Sequence, residues 1–308
     1  MNQIPDATVA IRRVTWLGLL FNLFLAGFKF LAGVFGHSQV LIADAVHSSS
    51  DLLTDVTVLV GSCYWSRPAD QDHPCGHAKQ ETLITFFIGV ALALVGVGLI
   101  QHGIHQIKEI IVEDIHPETP GIVALVAALV SIVLKEFLYR VTVRVGQRTR
   151  SSATIANAWH HRSDAISSIP AVLAIGGTLW LGPVFVFLDP LGTVVVSFMI
   201  LFTAFEIIRS AVFVLVDTSG GEKLAEEIRT SVLAEPEVKE VHKIRTRPLG
   251  NNLYAVDLHI HVRGVMSVLD AHSLSHKIQR DICAGDSRLL DVIIHVEPFG
   301  KSTAGASD

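Results

Sequence analysis

Six apolar stretches dominate this chain, at residues 14–35, 40–65, 82–111, 121–145, 155–181 and 184–216, each long enough to cross a bilayer. A helix rises about 1.5 Å per residue, so about 20 apolar residues span a hydrocarbon core about 30 Å thick. Half of the 308 residues are apolar and only 17% are charged. The mean hydropathy is +0.49, a balance few soluble domains reach. The expected fold over residues 1–216 is therefore an α-helical polytopic membrane domain of six transmembrane helices. The first stretch is too long for a signal-peptide core and lacks a small-residue cleavage site, so it is expected to remain as a span.

Basic residues set the expected orientation. Arg12 and Arg13 precede the first stretch, Arg67 and Lys79 flank the second connection, and Arg144, Arg148 and Arg150 crowd the end of the fourth. The opposite connections, 36–39, 112–120 and 182–183, carry no Lys or Arg. Under the positive-inside rule both termini face the cytoplasm, and a multi-pass protein of the cell (inner) membrane is expected. The formal net charge of −5 gives no footprint for nucleic acid. Three cysteines, Cys63, Cys75 and Cys283, are too few and too scattered for a disulfide framework, so reduced thiols are expected.

Two apolar stretches carry matching polar stripes. Asp44, His47, Asp51 and Asp55 recur at helical spacing in the second, and Asn157, His160, His161, Asp164 and Ser168 in the fifth. Side chains three, four and seven residues apart share one helix face. Ionisable groups are costly in hydrocarbon unless they pair, bind an ion or face water, so the stripes point to one shared site built from His47, Asp51, His160 and Asp164. Two imidazoles and two carboxylates suit a tetrahedral divalent ion of borderline softness. Asp44, Asp55 and Asn157 extend the stripes, either lining a water path or bonding between helices. Pro170 is expected to kink the fifth helix.

After about Asp217 the composition becomes that of a soluble domain. Residues 222–233 have a helical period, 238–247 and 253–262 read as strands around a turn at 248–252, 267–283 as a helix and 290–296 as a last strand. This is a small α+β domain over 217–300, followed by a tail at 301–308 expected to be disordered. Strand alternation leaves His259 and His261 on one face of the second strand and His295 and Glu297 on one face of the third. With His242, and with His272 and His276 on the helix, they form a candidate Zn²⁺ site. Surface histidines bathed in solvent would show the same spacing. The loop Asp70-Gln-Asp-His73-Pro-Cys75-Gly-His77 concentrates further ligand types, and a plain polar connection would read alike.

The paired His-x-x-x-Asp motifs, the Asp70…His73-Pro-x-Gly-His77 loop and the tail pattern Arg245-Thr-Arg247…His259…Ala271-His272…Asp291-Val-Ile-Ile-His295 together resemble the cation diffusion facilitator family of zinc and ferrous-iron efflux transporters. The resemblance runs over residues 9–298. It implies a homodimer with ferredoxin-like cytoplasmic domains, and metal-for-proton exchange in the membrane. Position by position it implies a transport site at His47, Asp51, His160 and Asp164, a loop site at Asp70, His73 and His77, and a cytoplasmic site at His242, His259, His272, His295 and Glu297. Glu297 stands where relatives often have Asp, Cys75 where they are commonly aromatic, and His47 where many have Asp; the His form resembles zinc-preferring members.

The expected function is efflux of a divalent cation, Zn²⁺ first, by proton antiport with alternating access. Fe²⁺, Cd²⁺, Co²⁺ or Ni²⁺ are alternatives as cargo, as is a non-transporting metal-sensing or assembly role. Ligands must be deprotonated to bind metal, so protons and metal compete for one site. An intramembrane zinc peptidase would need a general base beside its metal, and the sequence holds no His-Glu-x-x-His, so no enzyme is expected. No cofactor is expected; the metal is cargo or regulator. The expected partners are the divalent cation, protons, the lipid bilayer and a second copy of the chain.

Overall fold

The computed structural model describes residues 4–65, 70–73, 76–113, 118–149, 151–250 and 253–299. Arg67, Cys75, Arg150 and the tail at 301–308 lie outside the described residues, as do the side chains of Asp55 and Cys63. The chain divides into two compact units, one of Met1–Val60 with Phe87–Ile208, the other of Gly61–Phe86 with Arg209–Asp308.

The first unit is built from α1 (Ile4–Phe35), α2 (Gln39–Trp65), α3 (Ala78–Val112), α4 (Ile122–Thr149), α5 (Ser152–Ser167), α6 (Ile169–Leu181) and α7 (Leu188–Leu215), the ends of α2, α3 and α7 belonging to the second unit. By length and composition, five segments among the described residues can cross a membrane: Val9–Phe35, Lys79–Val112, Ile122–Thr149, Asn157–Leu181 and Leu188–Leu215. At 27 residues, α2 is equally long, but Asp44, Asp51 and Asp55 interrupt its apolar run. Large apolar side chains such as Phe87, Leu94, Leu173, Trp180 and Phe202 are exposed along the helices. Exposure on that scale fits a surface solvated by hydrocarbon rather than water.

The fifth span is not one helix. It breaks at Ser168, with Pro170 in the first turn of α6. Proline removes a donor and clashes with the preceding turn, so the expected kink becomes a full break. At the break, the hydroxyl of Ser168 donates to Asp44 Oδ1 at 3.1 Å. The sixth span also starts later than expected, at Leu188, because a short 3-10 turn at Pro183–Phe185 precedes α7.

Helix α3 packs on α7 through glycines one heptad apart. A Cβ would lie 2.8 Å from Ile208 at Gly89, 2.9 Å from Leu201 at Gly96 and 2.8 Å from Val194 at Gly103. The descending partner numbers show that the two helices run antiparallel. Without a hydrophobic drive between helices in lipid, such close backbone approach is what holds them.

The second unit contains α8 (Glu222–Leu233), β1 (Glu240–Gly250), β2 (Leu253–Arg263), α9 (Val268–Gly285) and β3 (Leu289–Phe299). Strand order is β1-β2-β3, with β1 antiparallel and β3 parallel to β2. One sheet face and the inner faces of the helices bury Leu224, Ile228, Val232, Val256, Leu258, Ile260, Leu274, Ile278, Ile282 and Val292. The Ser267 side chain caps α9 by accepting from the Asp270 amide, a side-chain bond that satisfies an otherwise orphaned helix N–H. Of the turn expected at 248–252, Pro248 to Gly250 instead continue β1, and residues 251–252 lie outside the described residues. In the same unit Lys79 donates to Asp217 at 2.6 Å.

Candidate metal centres

In the helical unit, one cavity of about 580 Å³ is lined by His47, Asp51, His160, Ser163, Asp164 and Glu206 among others. Ligand atoms of Asp51, His160 and Asp164 lie within 4.8 Å of one another. His47 lines the same cavity, is buried, and its Nδ1 has no hydrogen-bond partner among the described residues. A buried imidazole nitrogen without a partner carries a desolvation cost that a bound ion would remove. The helical spacing explains the convergence, since α2 and α5 each offer one polar stripe to the same space. Asp51 and Asp164 are buried, while His160 is half exposed. His161, on the neighbouring face, is buried with its ring 3.2 Å from where a Cβ on Gly18 would stand, and so packs against α1.

Two lysines that the sequence reading did not single out complete the polar interior. Lys29 on α1 is fully buried and pairs with Asp44 at 2.9 Å, while donating to Ser48 at 3.1 Å and Ser168 at 2.9 Å. Asp44 therefore bonds between helices. Lys135 on α4, also buried, pairs with Asp164 at 2.7 Å. A lone basic residue inside an apolar span was the available signal, since such residues almost always face a partner. A third buried acid, Asp189 at the start of α7, accepts from the Ser38 hydroxyl at 2.6 Å and the Gln39 amide at 2.7 Å. It thereby caps α2 from another helix.

In the second unit Asp70, His73 and His77 form a cluster with ligand atoms within 4.8 Å. Asp70 Oδ2 lies 3.2 Å from His77 and Oδ1 lies 3.5 Å from His73. The backbone N–H of His73 donates to Asp70 Oδ1 at 2.7 Å, and this bond chiefly holds the Asp70 carboxyl below its usual range.

The cytoplasmic-type cluster follows from strand register. His242, His259 and His295 stand side by side across β1, β2 and β3, and Glu240, His261 and Glu297 form the adjacent row. Residues two apart on a strand share a face, so the six side chains make a two-by-three patch. Glu297 is its centre: Oε1 is 2.8 Å from His259 and 3.5 Å from His295, and Oε2 is 3.1 Å from His261 and 3.4 Å from His242. The hydrogen bond from His259, followed by that from His261, holds Glu297 below its usual range. His261 shares the face of His259, as strand alternation leads one to expect; Glu240 was not among the expected ligands, because its place in the patch depends on register. His272 is exposed on α9, in a groove that Glu297 also lines, but joins no cluster among the described residues.

Residues 15–216 match the family model "Cation efflux transmembrane domain", and residues 221–299 match "Cation efflux protein, cytoplasmic domain". Metal tolerance protein C1 of Arabidopsis thaliana is 36% identical over 92% of this chain, which spans 61% of that protein's length. Manganese efflux system protein MneP of Bacillus subtilis (strain 168) is 31% identical, covering 94% of this chain and 96% of that one. A solved structure of the cytosolic domain of a cation diffusion facilitator family protein is 35% identical, covering 26% of this chain and 93% of that one, with a TM-score of 0.24. Two domain matches in the expected order, over nearly the whole chain, place the protein in the cation efflux (cation diffusion facilitator) family of metal cation transporters.

Proposed function

We propose that this chain exports Zn²⁺ from the cytoplasm in exchange for protons, as a homodimer with both termini cytoplasmic, and that His47, Asp51, His160 and Asp164 carry the ion. The observation that supports this most is the meeting of Asp51, His160 and Asp164 within 4.8 Å in a cavity that His47 also lines. Two carboxylates cancel the charge of a divalent ion, and imidazole favours zinc over the all-oxygen preferences of Mg²⁺ or Ca²⁺. Because protonated ligands cannot bind metal, an acidic exterior drives release. We also propose a domain boundary at Asp217, metal binding at Asp70, His73 and His77, and metal binding at the Glu297 patch.

A second cargo, Mn²⁺, is favoured by one finding, the similarity along the whole chain to a protein named for manganese efflux. Flux into proteoliposomes under an imposed pH gradient, compared for Zn²⁺, Mn²⁺, Fe²⁺ and Cd²⁺, separates the readings. The proposal expects Zn²⁺ uptake that collapses with the gradient and is lost in Asp51→Ala while dimers persist. Uptake surviving Asp51→Ala would remove the membrane site from the mechanism, and a preference for Mn²⁺ would replace the cargo.

A further inference from the structure

The ion pair between Lys135 and Asp164 puts a fixed cation on a carboxylate that the proposed site needs for its cargo. Lys135 Nζ sits 2.7 Å from Asp164 Oδ2. The other oxygen, Oδ1, faces His160 Nδ1 at 3.8 Å. The lysine is 1% exposed and comes from α4, whereas the carboxylates of the site come from α2 and α5. Asp51 and Asp164 belong to one cluster, and two carboxylates so close, away from bulk water, need a counter-charge. Lys135 supplies it. A divalent ion entering this cluster has two choices. It takes Asp164 Oδ2 and displaces the ammonium, or it binds through Oδ1 with the ammonium held close by; either course weakens its hold.

We propose that Lys135 is a tethered competitor for the transport site: its ammonium occupies Asp164 when the carrier is empty, and its return helps expel the ion. A carrier must bind well enough to load and weakly enough to unload, and a built-in rival for one ligand sets that balance without a second gate. The inference rests on the assignment of Asp51, His160 and Asp164 as ion ligands. It makes Lys135 a positioning residue, acting on the ion through Asp164.

The test uses purified full-length protein, Zn²⁺ as the probe, calorimetry for binding and proteoliposome uptake for turnover. The binding event lost in Asp51→Asn is the membrane site; if no event is lost, the site assignment fails, whatever Lys135 does. In that event Lys135→Met is expected to lower Kd by about tenfold or more, since a positive charge near a dication is removed from a medium of low effective dielectric. Lys135→Arg, which keeps the cation, is expected to show less than about a third of that gain on a logarithmic scale. In uptake, Lys135→Met is expected to lower KM and kcat together, a split that a merely structural loss does not produce. Should Lys135→Met fail to give a folded dimer, Lys135→Gln, which keeps a donor beside Asp164, reads the same signs. A Kd that is unchanged or weakened in a folded neutral variant, or a kcat that falls with KM rising, overturns the proposal.

Discussion

Replacing Lys29 by methionine tests whether the polar interior of the helical unit is held by paired charge. The lysine is fully buried, 2.9 Å from Asp44 Oδ2, and it donates to the hydroxyls of Ser48 and Ser168. Methionine nearly matches its volume, so packing survives and the change is electrostatic. The Asp44 carboxylate keeps the Ser168 hydroxyl as a donor but loses its counter-charge. Breaking a buried pair from one side costs about 3–5 kcal/mol. At about 2–4 °C per kcal/mol for a chain of this size class, the melting temperature in detergent should fall by about 6–20 °C. The double variant Lys29→Met with Asp44→Leu removes both charges, and replacing both partners by apolar groups is nearly neutral, so most of the loss should return. Thermal unfolding followed by tryptophan fluorescence, with elution as a folded dimer as the check, reads both. A shift under about 2 °C for the single variant, or a double variant no more stable than the single, would refute the reasoning.

Other substitutions probe other links. Asp189→Ala leaves the Ser38 hydroxyl and the Gln39 amide without their buried acceptor and should cost about 2–3 kcal/mol in the same melts; an unchanged melting temperature would show that the cap carries no weight. Gly103→Ala places a Cβ 2.8 Å from Val194 and 3.0 Å from the Pro190 carbonyl, whereas at Gly98 nothing lies within 4 Å. The first should destabilise by about 1–3 kcal/mol and the second should not, and equal melts would sink the close-packing account of α3 and α7. Glu297 has its folded pKa depressed below the usual 4.5. The stability it contributes, about 1 kcal/mol after allowing for partial exposure, is therefore present above about pH 4.5 and lost as pH falls through the lowered value. Melts in chelator should show the gap between wild type and Glu297→Gln constant at neutral pH and closing in acid; a gap that closes on raising the pH would reverse the sign. Glu240→Ala and His261→Ala should each weaken Zn²⁺ binding to the Glu297 patch by about tenfold, and affinity unchanged by either would confine the site to the first row of histidines.

What the sequence made legible divides along sequence distance. The stripes of His47 with Asp51 and of His160 with Asp164 are local patterns, so helical periodicity alone brings each pair to one face. The alternation that sets His259 and His261 apart from Ile260 is equally local. Lys29 with Asp44 and Lys135 with Asp164 join different helices, and no spacing within one helix announces such partners. Likewise Glu240 enters the patch only because β1 pairs with β2 in one register and not its neighbour. The break at Ser168 lay between the two cases, since Pro170 announces an interruption but the bonds of the Ser168 hydroxyl to Asp44 and Lys29 come from elsewhere in the fold.

The central claim is that one divalent ion sits among His47, Asp51, His160 and Asp164. Anomalous scattering at the zinc edge from crystals of the full-length protein grown with Zn²⁺ tests it directly. A peak is expected within about 2.0–2.2 Å of nitrogen and oxygen atoms from all four side chains. Peaks confined to the Asp70 loop and the Glu297 patch, with none between α2 and α5 at saturating metal, would contradict it.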